Sequence, residues 1–242
     1  MSVEEAGRNQ VTRDADADFG ELLVSFRGRL EAELLAWVEA KRDGYRAELP
    51  TADELTGVLT EFLLRGGKRL RPALVYYSYR ACGGSSDPVV MPVAMAVELL
   101  HTYLLVHDDI MDHAETRRGE PAVHVMFSDL HRANGWQGDS RHFGTSVAIL
   151  LGDLAESYAV ELYASSEMSE AVRADVRSCF STMCQEVIVG QYLEMTAGYR
   201  RNLTEEELLR ILQMKSGRYS VERPTQLGAL LAGASPDTLE AL

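Results

Sequence analysis

Apolar residues recur at three- and four-residue steps along most of this chain. Leu22, Leu23, Phe26, Leu30, Leu34 and Trp37 do so, which marks one face of an amphipathic helix beginning near Phe19. Thr51, with Glu54 three residues on, has the form of a capping box, so "TADELTGVLTEFLL" is predicted to open a second helix there. Gly66-Gly67 would stop it. Pro72 suits the first turn of the next helix, "PALVYYSYRACGG". Pro92 is predicted to start a long apolar helix that runs to about Asp112. "TSVAILLGDLAESYAVELYASS", "SEAVRADVRSCFSTMCQEVIVGQYLEMTAGY" and "TEEELLRILQMKSGRYSVERPTQLGALLAG" are also helical, the last capped by Thr204 with Glu207. Pro121 and "HRANGWQGDSRHFG" (131–144) fall in loops. Strand signals are nearly absent and no fixed-period repeat is visible. Residues 1–18 are polar, acidic and aperiodic, and are expected to be disordered. Residues 19–242 are expected to form one all-α domain of roughly eight to ten helices.

Composition narrows the function classes. The chain has 242 residues, of which 46% are apolar and 25% charged, enough for a sizeable core. A formal net charge of −13 argues against nucleic-acid binding, which needs a cationic surface. No window reaches about 18 uninterrupted apolar residues, so no membrane span is expected. The polar N-terminus does not have the form of a signal peptide. Three cysteines without a CxxC pair read as reduced thiols, hence a cytoplasmic protein.

The candidate chemistry begins at "VHDDIMDHAETRRG" (106–119), where dense acid ends a segment that is otherwise apolar from Val93 to Val106. Asp108 and Asp112 are four apart and share a helix face, with Cβ atoms roughly 5–6 Å apart. Asp109 points about 100° away from Asp108. His101 lies on nearly the same stripe as the Asp108–Asp112 pair, with Leu104 and Leu105 between. Acid at a helix C-terminus opposes the macrodipole by some tenths of a kcal/mol per charge, roughly. A solvated acidic helix end is the plain alternative. A hard divalent cation such as Mg²⁺ suits the pair better, because it takes oxygen ligands and often bridges to a phosphate. His101, His107 and His113 step by six, which spreads them over different faces, so a zinc site is not expected.

Basic residues follow in three places. "GGKRLRP" (66–72) carries Lys68, Arg69 and Arg71 at the start of a helix, a place that favours anions. It lacks the spacing of a Walker loop. Arg117 and Arg118 come just after the acids, and "MKSGRY" (214–219) adds Lys215 beside Ser216. Each alone reads as a solvated charge. Together with an acid pair in an apolar chain, they fit a substrate that is anionic at one end and hydrocarbon at the other.

The ordered set "GGKRLRP", "ELLHTYLLVHDDIMDHAETRRGEPAVH", "AILLGDLA", "GQYLEM" and "KSGRY", from about Gly66 to Gly233, resembles the trans-isoprenyl diphosphate synthases, the polyprenyl synthetase family. The resemblance implies an isoprenoid-synthase-type helical bundle around a central apolar cavity, a homodimer, and Mg²⁺. It implies head-to-tail condensation of isopentenyl diphosphate with an allylic diphosphate. Asp108 and Asp112 would ligate Mg²⁺ on the allylic diphosphate, with Asp109 supporting, and Arg117 would bind that diphosphate. Lys68, Arg71, His101 and Arg118 would bind isopentenyl diphosphate. Lys215 and Ser216 would sit near the allylic leaving group and Gln191 near the metals. Glu194 stands where the family usually has Asp. Tyr103 and Leu104, five and four residues before Asp108, would form the floor that limits product length. The family places bulky residues there, although a helical projection sets Tyr103 about 140° from Asp108. One aromatic at that place implies a C20 product, with C15 next.

The family carries a second aspartate-rich motif downstream of the Lys215 region, and this chain stops at Leu242 before it. A fragment or a natural truncation is therefore expected, and little or no turnover by residues 1–242 alone. Two other classes stay open. A terpene cyclase would have no need of an isopentenyl diphosphate site. A non-catalytic subunit of a heteromeric synthase would have no need of an intact "DDIMD".

Overall fold

The computed structural model describes residues 19–242; the disorder expected for residues 1–18 falls outside them. Helices α1 (Phe19–Glu48), α2 (Asp53–Leu64), α3 (Leu70–Ala81) and α4 (Asp87–Met111) come first. A small hairpin follows, β1 (Thr116–Arg117) with β2 (Glu120–Pro121), then α5 (Val123–Ala133), α6 (Ser140–Ser165) and α7 (Glu170–Tyr199). Helix α8 (Glu205–Leu212) leads into a π-helical segment, Gln213–Glu222, and the described chain closes with α9 (Arg223–Leu231) and α10 (Pro236–Glu240). The fold is all-α, as the periodicity requires.

Several helix bounds differ from expectation: the stretch 131–144 is not all loop, since α5, which was not foreseen, runs to Ala133 and α6 begins at Ser140. Thr51 does not cap α2. Pro50–Ala52 form a 3₁₀ turn and α2 opens at Asp53 with no side-chain cap. Pro50 fixes its own φ and draws Thr51 into the turn, where the hydroxyl is no longer at the helix entrance. Pro92 does not start α4, which begins five residues earlier at Asp87. A proline inside a helix leaves the carbonyl four residues back without its usual donor. Here that carbonyl belongs to Pro88, and the backbone N–H of Glu167 donates to it at 3.2 Å. The capping box of α8 forms as expected: the Glu207 N–H donates to Thr204 Oγ1 at 3.2 Å, and the Thr204 N–H donates to Glu207 Oε2 at 2.9 Å.

The chain divides into two compact units, exchanging between Ala94 and Met95 within α4. Of the described residues, one unit holds Phe19–Val24, Arg69–Ala94 and Ser165–Leu242. Its buried residues include Val75, Tyr79, Val90, Val93, Val176, Met183, Tyr219 and Leu227. The other holds Ser25–Lys68 and Met95–Ala164, with Leu30, Leu34, Leu59, Phe62, Leu99, Leu100, Phe127 and Leu151 almost fully buried. Along α1 the inward set is Phe26, Leu30, Leu34 and Val38; Leu22, Leu23 and Trp37 of the expected stripe are half-buried and Val38 joins it instead. Helix α4 has a window of mean hydropathy 1.8, long and apolar enough to cross a membrane, but 67% of that window is buried inside the fold. A core helix passes the same test.

Candidate active site

Helix α4 ends in a way that gives its three aspartates different tasks. The Asp112 N–H donates to the Asp108 carbonyl at 2.8 Å, so the helical turn is intact and these two side chains share a face. Asp108 is half-buried and Asp112 exposed. Asp109 turns the other way and is 0% exposed. His113 then takes a left-handed φ of 53°. The Ala114 N–H reaches the Asp109 carbonyl at 2.9 Å, and the His113 N–H reaches that of Ile110 at 3.3 Å. This is a Schellman stop with histidine where glycine is usual.

The hairpin comes next. Thr116 pairs with Pro121 and Arg117 with Glu120, leaving Arg118-Gly119 as a two-residue turn. Both have positive φ, 57° and 83°, as a type I′ turn requires. The two arginines diverge, Arg117 on the strand and Arg118 in the left-handed turn. Arg117 reaches back to the acid helix: Nε donates to Asp109 Oδ1 at 2.8 Å, Nη2 donates to the same oxygen, and Nη2 stands 3.4 Å from Asp108 Oδ2. Arg118 reaches the glycine loop instead, and its Nη1 donates to the Gly66 carbonyl. A Cβ on Gly67 would lie 3.1 Å from Arg118 Nη2. Gly66 also needs its left-handed φ of 75°. The glycine pair is thus a seat for the Arg118 guanidinium, with exposed Lys68 directly after it.

Burial pushes the Asp109 carboxyl above its ordinary value, and Arg117 pulls it back only in part. Asp109 in turn raises Arg117. The second oxygen, Asp109 Oδ2, is buried with no hydrogen-bond partner among the described residues. The Asp108 and Asp112 carboxylates are an oxygen-only pair, which suits a hard cation rather than zinc or copper. Among the described residues no cluster of three or more His, Cys, Asp or Glu is close enough to hold a metal by itself. A cation on Asp108 and Asp112 would share itself with substrate oxygens, as Mg²⁺ commonly does. His101 and Leu104 are half-buried on the same helix. Tyr103 packs edge-on against His107, with ring centroids 4.7 Å apart.

The other candidate residues belong to the first unit. Lys215 and Ser216 lie on the π-helical segment, and the Lys215 ammonium pairs with Glu194 on α7. Gly190 permits this: a Cβ there would come within 2.8 Å of the Lys215 backbone nitrogen. Gln191 is half-buried one residue later, its Nε2 without a partner among the described residues. Arg71 donates to Ser220 Oγ at 2.7 Å and stacks over Tyr219, 4.7 Å from the ring centroid.

Sequence reasoning missed the hairpin, because two-residue strands have no periodicity to read. The Arg-Gly pair before Pro121 was the available signal. It also missed the π-helical segment, whose composition is that of an ordinary helix, and the special place of His107.

A helical chain whose apolar core helix ends in paired aspartates, answered by an arginine hairpin seated on a glycine loop, has the architecture of the isoprenoid synthases. Residues 52–242 match the model of the family described as Polyprenyl synthetase, and the chain belongs to that family. It is 39% identical over 180 residues to a geranylgeranyl diphosphate synthase of Methanosarcina mazei, covering 73% of this chain and 49% of that protein. It is 33% identical over 205 residues to a farnesyl diphosphate synthase of Geobacillus stearothermophilus, covering 81% and 62%. Among solved structures, a geranylgeranyl pyrophosphate synthase from Corynebacterium glutamicum, complexed with isoprenyl diphosphate and magnesium, superposes with a TM-score of 0.85 at 33% identity. That match covers 90% of this chain and 62% of the other. The chain spans about half the length of the curated relatives it matches.

Proposed function

We propose that the whole protein is a Mg²⁺-dependent short-chain prenyl diphosphate synthase. It joins isopentenyl diphosphate head-to-tail to an allylic diphosphate and makes a C20 product, with C15 the next choice. The single observation that carries this reading is the division of labour in the hairpin. Arg117 serves the acid helix while Arg118 serves the Gly66–Gly67 loop, which gives a chain-elongating enzyme one basic group for each of two diphosphates. A terpene cyclase would use only one. The relatives named above carry synthase names of the same short-chain kind.

Asp108 and Asp112 are the residues that would hold Mg²⁺, and the ion would neutralise charge building on the departing diphosphate. Asp109 holds Arg117 in place from its buried position. Lys215 and Ser216 stand for the leaving group, held by Glu194 and the π-helical turn, and Gln191 supports the metal side. Fixed cations aimed at a developing charge lower the barrier without reorganising. Lys68, Arg71, His101 and Arg118 orient isopentenyl diphosphate. Tyr103 and Leu104 stop the growing chain. Water is kept from the allylic cation by apolar walls. A homodimer, a cytoplasmic location and one prenyltransferase domain from residue 19 onward belong to the same proposal.

Full-length protein incubated with labelled isopentenyl diphosphate, Mg²⁺ and C5, C10 and C15 primers tests it. Extended prenyl diphosphates that vanish on chelation are expected. Cyclic hydrocarbons formed without isopentenyl diphosphate would overturn it in favour of a cyclase. Product only on adding a second synthase would favour the non-catalytic subunit.

A further inference from the structure

His107, the residue before the first aspartate, has a defined seat of its own. Its Nε2 lies 3.2 Å from the Ile149 carbonyl on α6. A carbonyl only accepts, so Nε2 carries the proton in this contact. Asp153 Oδ1 stands 3.7 Å from the same nitrogen. Gly152 makes the space, since a Cβ at that position would overlap the imidazole ring. The ring is therefore held by α6 along one edge. It also packs against Tyr103, one turn earlier on α4, edge-on at 4.7 Å and 64°. Aromatic pairs prefer this tilted arrangement.

We propose that His107 is a positioning residue for Tyr103 and, through it, a determinant of product length. This rests on the reading of Tyr103 as part of the floor. A tyrosine on a helix has few rotamers, and the one it keeps depends on what flanks it. His107 flanks it on the same face, and α6 fixes His107. The position of the floor is then set by α6 as well as by α4. Gly152 of "AILLGDLA" contributes by leaving room for the imidazole rather than by touching substrate.

The test compares product length in the full-length enzyme for Tyr103→Ala, His107→Ala, Gly152→Ala and the Tyr103→Ala/His107→Ala double variant. His107→Gln is a milder second variant that keeps a hydrogen-bond donor and loses the ring. Thermal melts confirm folding. All single variants are expected to shift product toward longer chains, read as the ratio of product lengths formed from one primer. The double variant is expected to match Tyr103→Ala alone. Longer products from Tyr103→Ala with none from the His107 or Gly152 variants would overturn the positioning role and leave the floor reading intact. A double variant longer than Tyr103→Ala would make His107 a wall in its own right and overturn it too. No change in Tyr103→Ala would remove the floor reading, and this inference with it.

Discussion

Arg117 commits both its Nε and its Nη2 to one oxygen of Asp109, a residue 0% exposed to solvent. Counter-charge in the acid site is thus built into the chain before any substrate arrives. The second aspartate of "DDIMD" works inward, holding the hairpin; the first and third are the ones proposed for Mg²⁺.

Removing the arginine should therefore harm stability as well as function. Arg117→Met leaves a buried carboxylate without its partner, a loss of about 3 kcal/mol. Urea melts of Arg117→Met, Asp109→Asn and the double variant measure it. The double variant is expected to be less destabilised than the sum of the singles, with a coupling of at least about 1 kcal/mol. Additive losses would show that the contact contributes nothing.

Gly190 sets how closely α7 approaches the π-helical segment. Gly190→Ala places a Cβ against the Lys215 backbone, which cannot rotate away as a side chain would. Overpacking of this kind costs about 1–3 kcal/mol. Because the Lys215–Glu194 pair rides on that approach, turnover of the full-length enzyme is expected to fall with it. A variant of wild-type melting temperature and activity would show that the close approach is incidental.

Asp53 gives a pH signature away from the candidate site. Arg42 grips both its oxygens at 2.6 and 3.1 Å, and Arg46 adds a bond at 2.9 Å. Arg42 first, then Arg46, hold the carboxyl down at about 2, against roughly 3.9 in an unfolded chain. A folded pKa below the unfolded one means the stabilisation is complete above about pH 4 and is lost as pH falls through about 2. Urea melts from pH 5 to pH 2 should show wild type losing more stability than Arg42→Met over that window. Equal losses would place the acid sensitivity elsewhere.

How much of this was visible in the sequence depends on the length of the signal. The stripe Phe26, Leu30, Leu34 spans three turns, and its burial was legible. The capping box at Thr204 was legible because Glu207 answers it locally. Thr51 had the same pattern, but Pro50 imposes a tighter turn. Pro92 looked like a helix start because its missing N–H is tolerated there. It is also tolerated inside α4, since Glu167, distant in sequence, supplies the donor to Pro88. The acid and basic residues of the candidate site were proposed from their order alone. Their pairing could not be read there, because it depends on a two-residue turn with Arg118 at positive φ. The same holds for His107, whose seat depends on Gly152 in another helix.

The most direct measurement compares the Mg²⁺-dependent turnover of isopentenyl and allylic diphosphates by full-length wild type, Asp108→Asn and Asp112→Asn. Each substitution keeps the side-chain shape and removes one charge. A fall in kcat of about a hundredfold or more is expected for each, with cooperative thermal unfolding showing that each variant still folds. Turnover at wild-type level in both variants would contradict the assignment of these aspartates as the group that carries the reaction.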